Sequence, residues 1–187
     1  MTAPLASLSP HSLAEIAALA EARKLPPVDS WHPARGGEID IRIARDGSWY
    51  HEGDRIEREA LVRLFSTILR RESDGGYVLV TPAEKLAIEV EDAPFVAVEM
   101  KSEAEGEART LAFRLNTGDL VVAGPDHPLA LKESREGPLP YLHVRGGLDA
   151  LVGRAVYYEL ADLALAEDNS PLGLWSDGAF FALDPEQ

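Results

Sequence analysis

Ile39, Ile41 and Ile43 alternate with Asp40, Arg42 and Ala44, and the run continues into "RDGSWYHEGDRI", Arg45 to Ile56. A period of two puts the isoleucines on one face of a strand, because successive side chains point to opposite sides. Asp46-Gly47 then supplies the positive backbone angles of a tight turn, so the chain must return beside itself. "SDGAFF", Ser176 to Phe181, repeats the device near the C-terminus, and "NTGDLVV", Asn116 to Val122, is a looser version. A chain that doubles back this often is committed to antiparallel sheet with one face buried. The expected fold is therefore α+β: two related halves built from antiparallel strands and hairpins, with one long helix and an internal duplication.

The remaining punctuation divides the chain. A helix is expected from Pro10 to Arg23, started either by a Ser9 cap with Pro10 in its first turn or by a Ser12–Glu15 capping box. Leu13, Ile16, Leu19 and Ala20 form its apolar stripe. "KLPPVDSWHPARGG" stops it with three prolines and reads as an extended linker anchored by Trp31. Leu61, Leu64, Phe65 and Ile68 recur at helical spacing between Glu57 and Arg71, and "YVLVT", "KLAIEVE" and "FVAVEM" follow as strands. The expected units are residues 1–36, 37–106 and 107–187.

The second half reads as a worn copy of the first. In "LAFRLNTGDLVVAGPDHPL", Leu111, Phe113 and Leu115 take the places of Ile39, Ile41 and Ile43, and Arg114 that of Arg42. "YLHVR" parallels "YVLVT", "RAVYYELADLA" parallels "APFVAVEM", and "WSDGAFFAL" is expected as a hairpin on a sheet edge. The helix of the first half has no counterpart, because "ALKESREGPLP" is too polar and too broken.

Taken together, "PPVDSWHP", "IDIRIARDGSWYHEGDRI", "LVRLFSTILRR", "YVLVTPAEKLAIEVEDAPFVAVEM", "AGPDHPL" and "PYLHVRGGLDALVGRAVYYEL" resemble the bacterial family catalogued as domain of unknown function 1285. The resemblance runs colinearly from Pro26 to Leu163. It implies a cytoplasmic α+β protein of two related structural units and an expected role in ligand binding or signalling. It implies no reaction and carries over no catalytic residue.

Charge narrows the partners. A net charge of −14 repels a phosphate backbone, whose binding depends on Lys and Arg releasing counterions, so neither nucleic acid nor an anionic membrane is expected. No apolar run reaches the roughly 18–20 residues needed to span a bilayer, and the N-terminal stretch lacks the basic start and apolar block of a secretory signal. Cysteine is absent, which removes thiol catalysis, disulfides and thiolate metal sites and suits a cytoplasmic setting. There is no G-x-S-x-G elbow, P-loop or G-x-G-x-x-G run, so no cofactor is expected. "HEGD" (His51 to Asp54) and "GPDHP" (Gly124 to Pro128) are explained as polar turns, and no metal is expected of them.

One constellation remains. Strand alternation puts Asp40 and Arg42 opposite the isoleucines, and Arg114 and Asn116 opposite Leu111, Phe113 and Leu115. In "YLHVR" it puts Tyr141, His143 and Arg145 on one side. If those strands are neighbours, Arg42, Arg114, His143 and Arg145 line one face, with Asn116 and Thr81 to orient a ligand. Arginine forks suit phosphate or carboxylate, so the expected partner is a small anionic ligand or an acidic protein segment. The competing explanation is that these arginines pair with the chain's own 32 acidic residues. The reading is a non-enzymatic regulatory or signalling module. Its alternatives are a hydrolase-type enzyme using a carboxylate or His143, and a purely structural interaction module. The sequence sets no oligomeric state.

Overall fold

The structure, a computed structural model, describes residues 7–184. The start of the expected 1–36 unit lies outside the described residues. Helix α1 (Leu13–Ala22) opens on the Ser12–Glu15 capping box: Glu15 N donates to Ser12 Oγ at 3.3 Å, and Ser12 N donates to Glu15 Oε2 at 2.8 Å. After the proline-rich linker come β1 (Arg35–Ile43), β2 (Trp49–His51) and β3 (Asp54–Arg55). Helix α2 (Glu59–Thr67) follows, then β4 (Leu69–Arg71), β5 (Tyr77–Val80) and β6 (Glu84–Val90). The second half holds β7 (Phe95–Glu103), β8 (Thr110–Leu115), β9 (Leu120–Val122), β10 (Leu129–Ser134), β11 (Gly137–Arg145) and β12 (Leu148–Val152). It closes with α3 (Arg154–Glu167), β13 (Gly173–Ser176) and β14 (Ala179–Ala182).

The two halves are related by topology. The first sheet has the order β3-β2-β1-β6-β5-β4, and the second β10-β11-β12-β7-β8-β9. Adding six to each strand number of the first sheet reproduces the second. In both, the central pair is parallel (β1 with β6, β7 with β12) and every other pair is antiparallel. The sheets are thus not wholly antiparallel, because the last strand of each half returns beside the first.

That correspondence corrects the register of the repeat. β7, not β8, is the partner of β1, and β8 corresponds to β2. "FVAVEM" alternates as well as "LAFRL" does, so alternation alone could not choose between them. Residues 95–103, which the sequence reading assigned to the 37–106 unit, are built into the second sheet. "RAVYYELADLA" is the start of α3 and not a strand: Val156, Leu160 and Ala164 are its buried side chains at helical spacing. At 14 residues α3 is longer than α2, which has nine because β4 takes the end of the stretch expected to be helical. The C-terminal hairpin β13–β14 forms its own two-stranded sheet. Asp177 and Gly178, both at positive φ (48° and 76°), make its turn.

A connection in the second half fixes its shape. Ala123 N donates to Leu111 O, continuing β9 along β8, and His143 N donates to Pro128 O, continuing β10 along β11. β9 and β10 are the two edges of the sheet. In a flat six-stranded sheet those edges would stand about 24 Å apart, whereas five residue steps reach at most about 18 Å. The chain between them does not even extend, since Gly124 and His127 exchange backbone bonds of 3.2 and 3.1 Å. The sheet must therefore curl until its edges meet at one corner. In the first half α2 spans the equivalent gap between β3 and β4.

One apolar core serves both halves. Ile41, Ile43, Trp49, Leu69 and Leu79 of the first pack with Phe95, Leu111, Phe113, Leu142 and Leu160 of the second. A separate small cluster of Leu8, Leu13, Ile16 and Ala112, with Leu120 and Val122 against it, fastens α1 to the other face of the second sheet.

Candidate functional site

The arginines singled out by alternation go to different places. Arg42 on β1 pairs with Glu91 and lies 4.4 Å above the Tyr50 ring. Thr81 builds the β5–β6 turn, its Oγ1 accepting from Ala83 N and Glu84 N. Arg114 on β8 donates to Glu99 Oε2 at 2.8 Å. Burial pushes the Glu99 carboxyl up, but Ser7 Oγ, Arg114 and Leu8 N all donate to it and leave its pKa below the ordinary value. Asn116 ties the halves together: its Oδ1 accepts from Val96 N at 3.0 Å, and its Nδ2 donates to Gly47 O at 3.0 Å. His143 Nδ1 lies 3.1 Å from Asp149 Oδ1. Tyr141 donates to Asp92 at 2.7 Å, and burial together with that carboxylate pushes its pKa far up.

Arg145 differs from the rest. It stands at the end of β11, its guanidinium 5.3 Å from the centre of the Phe95 ring, and it donates to Ser66 O at the end of α2 at 2.7 Å. Among the described residues no carboxylate forms an ion pair with it. Burial alone lowers its pKa, as expected when a cation leaves water without a counter-ion. Its side chain lines a cleft of about 570 Å³ between α1, the β8–β9 hairpin, the 124–127 turn and β11. The apolar wall includes Leu13, Ala17, Leu25 and Val144.

One more arginine that alternation could not find lines the same cleft. Arg23, the C-cap of α1, faces the Asp119 carboxylate in the same cleft. Asp119 is 5% exposed and accepts from Thr117 Oγ1 at 3.0 Å. Burial lowers the Arg23 pKa, and repulsion from Arg145 and from Arg63 on α2 adds to it. Arg63 itself pairs with Glu59 on its own helix, its Nη1 3.3 Å from Glu59 Oε2. Arg23 carried no sequence signal because it closes a helix far from the strands in sequence.

Asp126 and Asp177 line the cleft beyond the other end of β9, with His127, and Glu21 lies on α1. From Asp119 to Gly124 the chain advances about 16 Å if extended, so that acidic end is set apart from Asp119. A second groove of about 690 Å³ runs between the β1–β2 turn, the start of α2 and the β8–β9 turn. Arg114, Asn116 and Arg63 line it, but so do Asp46, Glu57 and Glu59. Every carboxylate with a displaced pKa among the described residues (Glu15, Asp46, Glu72, Glu99, Glu167) is displaced downward. A general acid needs the opposite.

The sequence matches two family models, "Domain of unknown function (DUF1285), N-terminal domain" over residues 26–93 and "Protein of unknown function (DUF1285), C-terminal domain" over residues 94–183. The division between them falls where the chain passes from β6 to β7. A crystal structure of a DUF1285 family protein from Silicibacter pomeroyi DSS-3 is similar at a TM-score of 0.79 and 46% identity, covering 90% of this chain and 93% of that one. A second, of a DUF1285 family protein from Shewanella baltica OS155, has a TM-score of 0.51 and 27% identity over 70% of this chain and 93% of that one. No curated protein matches.

Proposed function

We propose that this chain, which belongs to the DUF1285 family of unknown function, is a non-enzymatic binding module for a small anionic ligand. Arg145 receives the charge, and the apolar wall of the cleft receives the rest of the molecule. The observation that carries this is Arg145 itself, a half-buried guanidinium that has no carboxylate partner among the described residues of a protein with a net charge of −14. In such a protein a cation is readily paired, and withdrawing one partly from water without a counter-charge costs stability. An anion that supplied the missing charge would recover that cost.

A small ligand is favoured over an acidic protein segment. Asp126, Asp177 and Glu21 on the remaining walls would repel a second or third carboxylate of such a segment. The downward-displaced carboxylates weigh against the hydrolase alternative. A regulatory or signalling role in the cytoplasm is the setting proposed for this binding.

A thermal-shift screen at low ionic strength tests the reading, with orthophosphate, methyl phosphate and succinate on wild type and Arg145→Gln. A ligand at about a hundred times its Kd adds roughly 2.7 kcal/mol, enough to raise Tm by several degrees. The expected result is a shift in wild type that the variant loses. No shift with any anion, together with a variant that is at least as stable as wild type, would show that Arg145 awaits no ligand.

A further inference from the structure

Helix α3 has two apolar faces, and the core uses only one of them. Val156, Leu160 and Ala164 are buried against the body, whereas Tyr158 and Leu165 are 60% and 65% exposed. Arg154, Tyr158, Ala161 and Leu165 follow at steps of four, three and four residues, which is the spacing of a coiled-coil seam. They form a stripe on the side opposite the buried one, with exposed Asp162 beside it. A helix that is apolar on both sides is usually covered on both. The stripe is also prepared for contact. The Tyr158 ring lies 6.3 Å from that of Tyr157, inclined to it by 22°, and Tyr157 packs against the main core. Tyr158 is therefore a braced aromatic ring standing in solvent. Arg154 and Asp162 form no ion pair among the described residues, so both charges are free to meet a partner.

We propose that this stripe is a homodimer interface, in which α3 packs antiparallel on the α3 of a second copy about a two-fold axis. Charge selects both the occupant and its direction. The stripe begins at Arg154, its second half carries Asp162, and Asp168 caps the helix end. In the antiparallel arrangement Arg154 lies level with Leu165 of the second copy. Asp162 and Asp168 of that copy then stand about 4.5 Å along the axis on either side, within reach of a guanidinium. A parallel arrangement would set Arg154 against Arg154 and Asp162 against Asp162. The opposed helix macrodipoles favour the antiparallel direction as well. Tyr158 falls on Ala161 of the second copy, a large side chain against a small one, as knobs-into-holes packing requires. The two-fold axis makes each of these contacts twice.

A single helix of 14 residues, about 21 Å long, presents less than the roughly 800 Å² per partner of a standard interface. The dimer is therefore weak and reversible, forming between micromolar and millimolar concentration. The net charge of −14 on each copy opposes it in dilute salt. Salt at about 0.15 M screens that repulsion beyond about 8 Å and spares charges in contact. α3 gives no residue to the Arg145 cleft, so this inference and the anion reading stand or fall separately.

Analytical ultracentrifugation of the full chain tests this, from about 1 μM to about 1 mM in about 0.15 M salt. The chains compared are wild type, Leu165→Gln, Arg154→Glu, and the double variant Arg154→Glu with Asp162→Arg. All three positions are exposed, and melting followed by circular dichroism checks that each variant is folded. Wild type should pass from monomer to dimer within that range, and each single variant should weaken the dimer tenfold or more. The charge reversal in the double variant should restore the dissociation constant to within about threefold of wild type. A wild type that stays monomeric throughout would overturn the proposal, and its co-sedimentation with phosphatidylcholine vesicles would give the stripe to a lipid surface instead. A dimer that Leu165→Gln leaves intact would place the interface elsewhere and overturn it too. A double variant no stronger than Arg154→Glu alone would overturn the antiparallel arrangement.

Discussion

Removing the carboxylate of Glu167 should unfold this protein more readily than almost any other single polar change. Arg109 is 5% exposed, and its Nε and Nη2 donate to Glu167 Oε1 at 3.0 and 2.6 Å. Gly106 N donates to the same oxygen at 2.8 Å, so one carboxylate secures both the 106–108 turn and the last turn of α3. Deleting one member of a buried pair leaves the other charge uncompensated and costs about 3–5 kcal/mol, whereas replacing both by apolar groups is often close to neutral. Glu167→Gln, which keeps an acceptor, should cost about 3 kcal/mol, and Glu167→Ala about 5 kcal/mol, because Gly106 N is then orphaned as well. The double variant Arg109→Met with Glu167→Leu should return to within about 1 kcal/mol of wild type. Urea unfolding followed by tryptophan fluorescence measures all of these; with a slope of about 2 kcal/mol per molar, the Gln variant shifts the midpoint by about 1.5 M. The pair also sets an acid limit. Burial pushes Glu167 up, but the Arg109 and Gly106 donors and the Arg109 charge outweigh it, and the pKa ends below 4.5. A carboxylate lowered in this way adds stability above its unfolded pKa, and that stability disappears as pH falls through the folded value. Wild type should therefore lose more of its urea midpoint between pH 6 and pH 3 than Glu167→Gln does. A loss below about 1 kcal/mol in Glu167→Ala, or a double variant weaker than either single one, would refute the reasoning.

Four further outcomes follow from the same geometry. Gly47→Ala should cost more than about 2 kcal/mol in urea unfolding, since Gly47 has a φ of +84° and a Cβ there would meet Asn116 Nδ2 at 2.4 Å. Asn116→Ala should cost about 2 kcal/mol by leaving Val96 N and Gly47 O unpaired, and should leave the affinity of any anion at Arg145 unchanged. Ser176→Ala should lower stability by about 2 kcal/mol, because the buried Ser176 Oγ accepts from Leu111 N at 2.8 Å and donates to Ala123 O at 2.7 Å. Ser12→Ala should cost about 1 kcal/mol of α1 stability, read as faster hydrogen exchange confined to residues 13–22.

Features written in short stretches of sequence were legible, and those written in its return paths were not. Ile41, Ile43 and Trp49 show the buried face of β1 and β2, and the glycines at 47 and 178 adopt the positive φ that their turns demanded. The Ser12–Glu15 box is visible as two residues at a fixed offset. The parallel pairing of β1 with β6 depends on where a strand comes back after some forty residues, which no local pattern records. Tyr157, Tyr158 and Val156 favour strand by propensity, yet Val156, Leu160 and Ala164 recur every four residues, and that spacing was the signal for α3. At the candidate site, alternation gave the side of the strand that Arg145 occupies but could say nothing of Arg23, which reaches Asp119 from a helix some hundred residues earlier in the chain. The chemistry of Asn116 suits a ligand group, and no local pattern shows that its side chain bonds Val96 N and Gly47 O and so joins the halves.

The tight link from Ala123 to Pro128 also bears on the open edges of the second sheet. Open sheet edges are templates on which another chain can add a strand. Here the first sheet ends in β3 and β4, of two and three residues, and the second has its β9 edge under α1 and drawn against the start of β10. β10, six residues long, is the one long edge of the two six-stranded sheets that no helix covers among the described residues. Lengthening the 124–127 turn would release the β9 and β10 edges from one another and let the second sheet flatten.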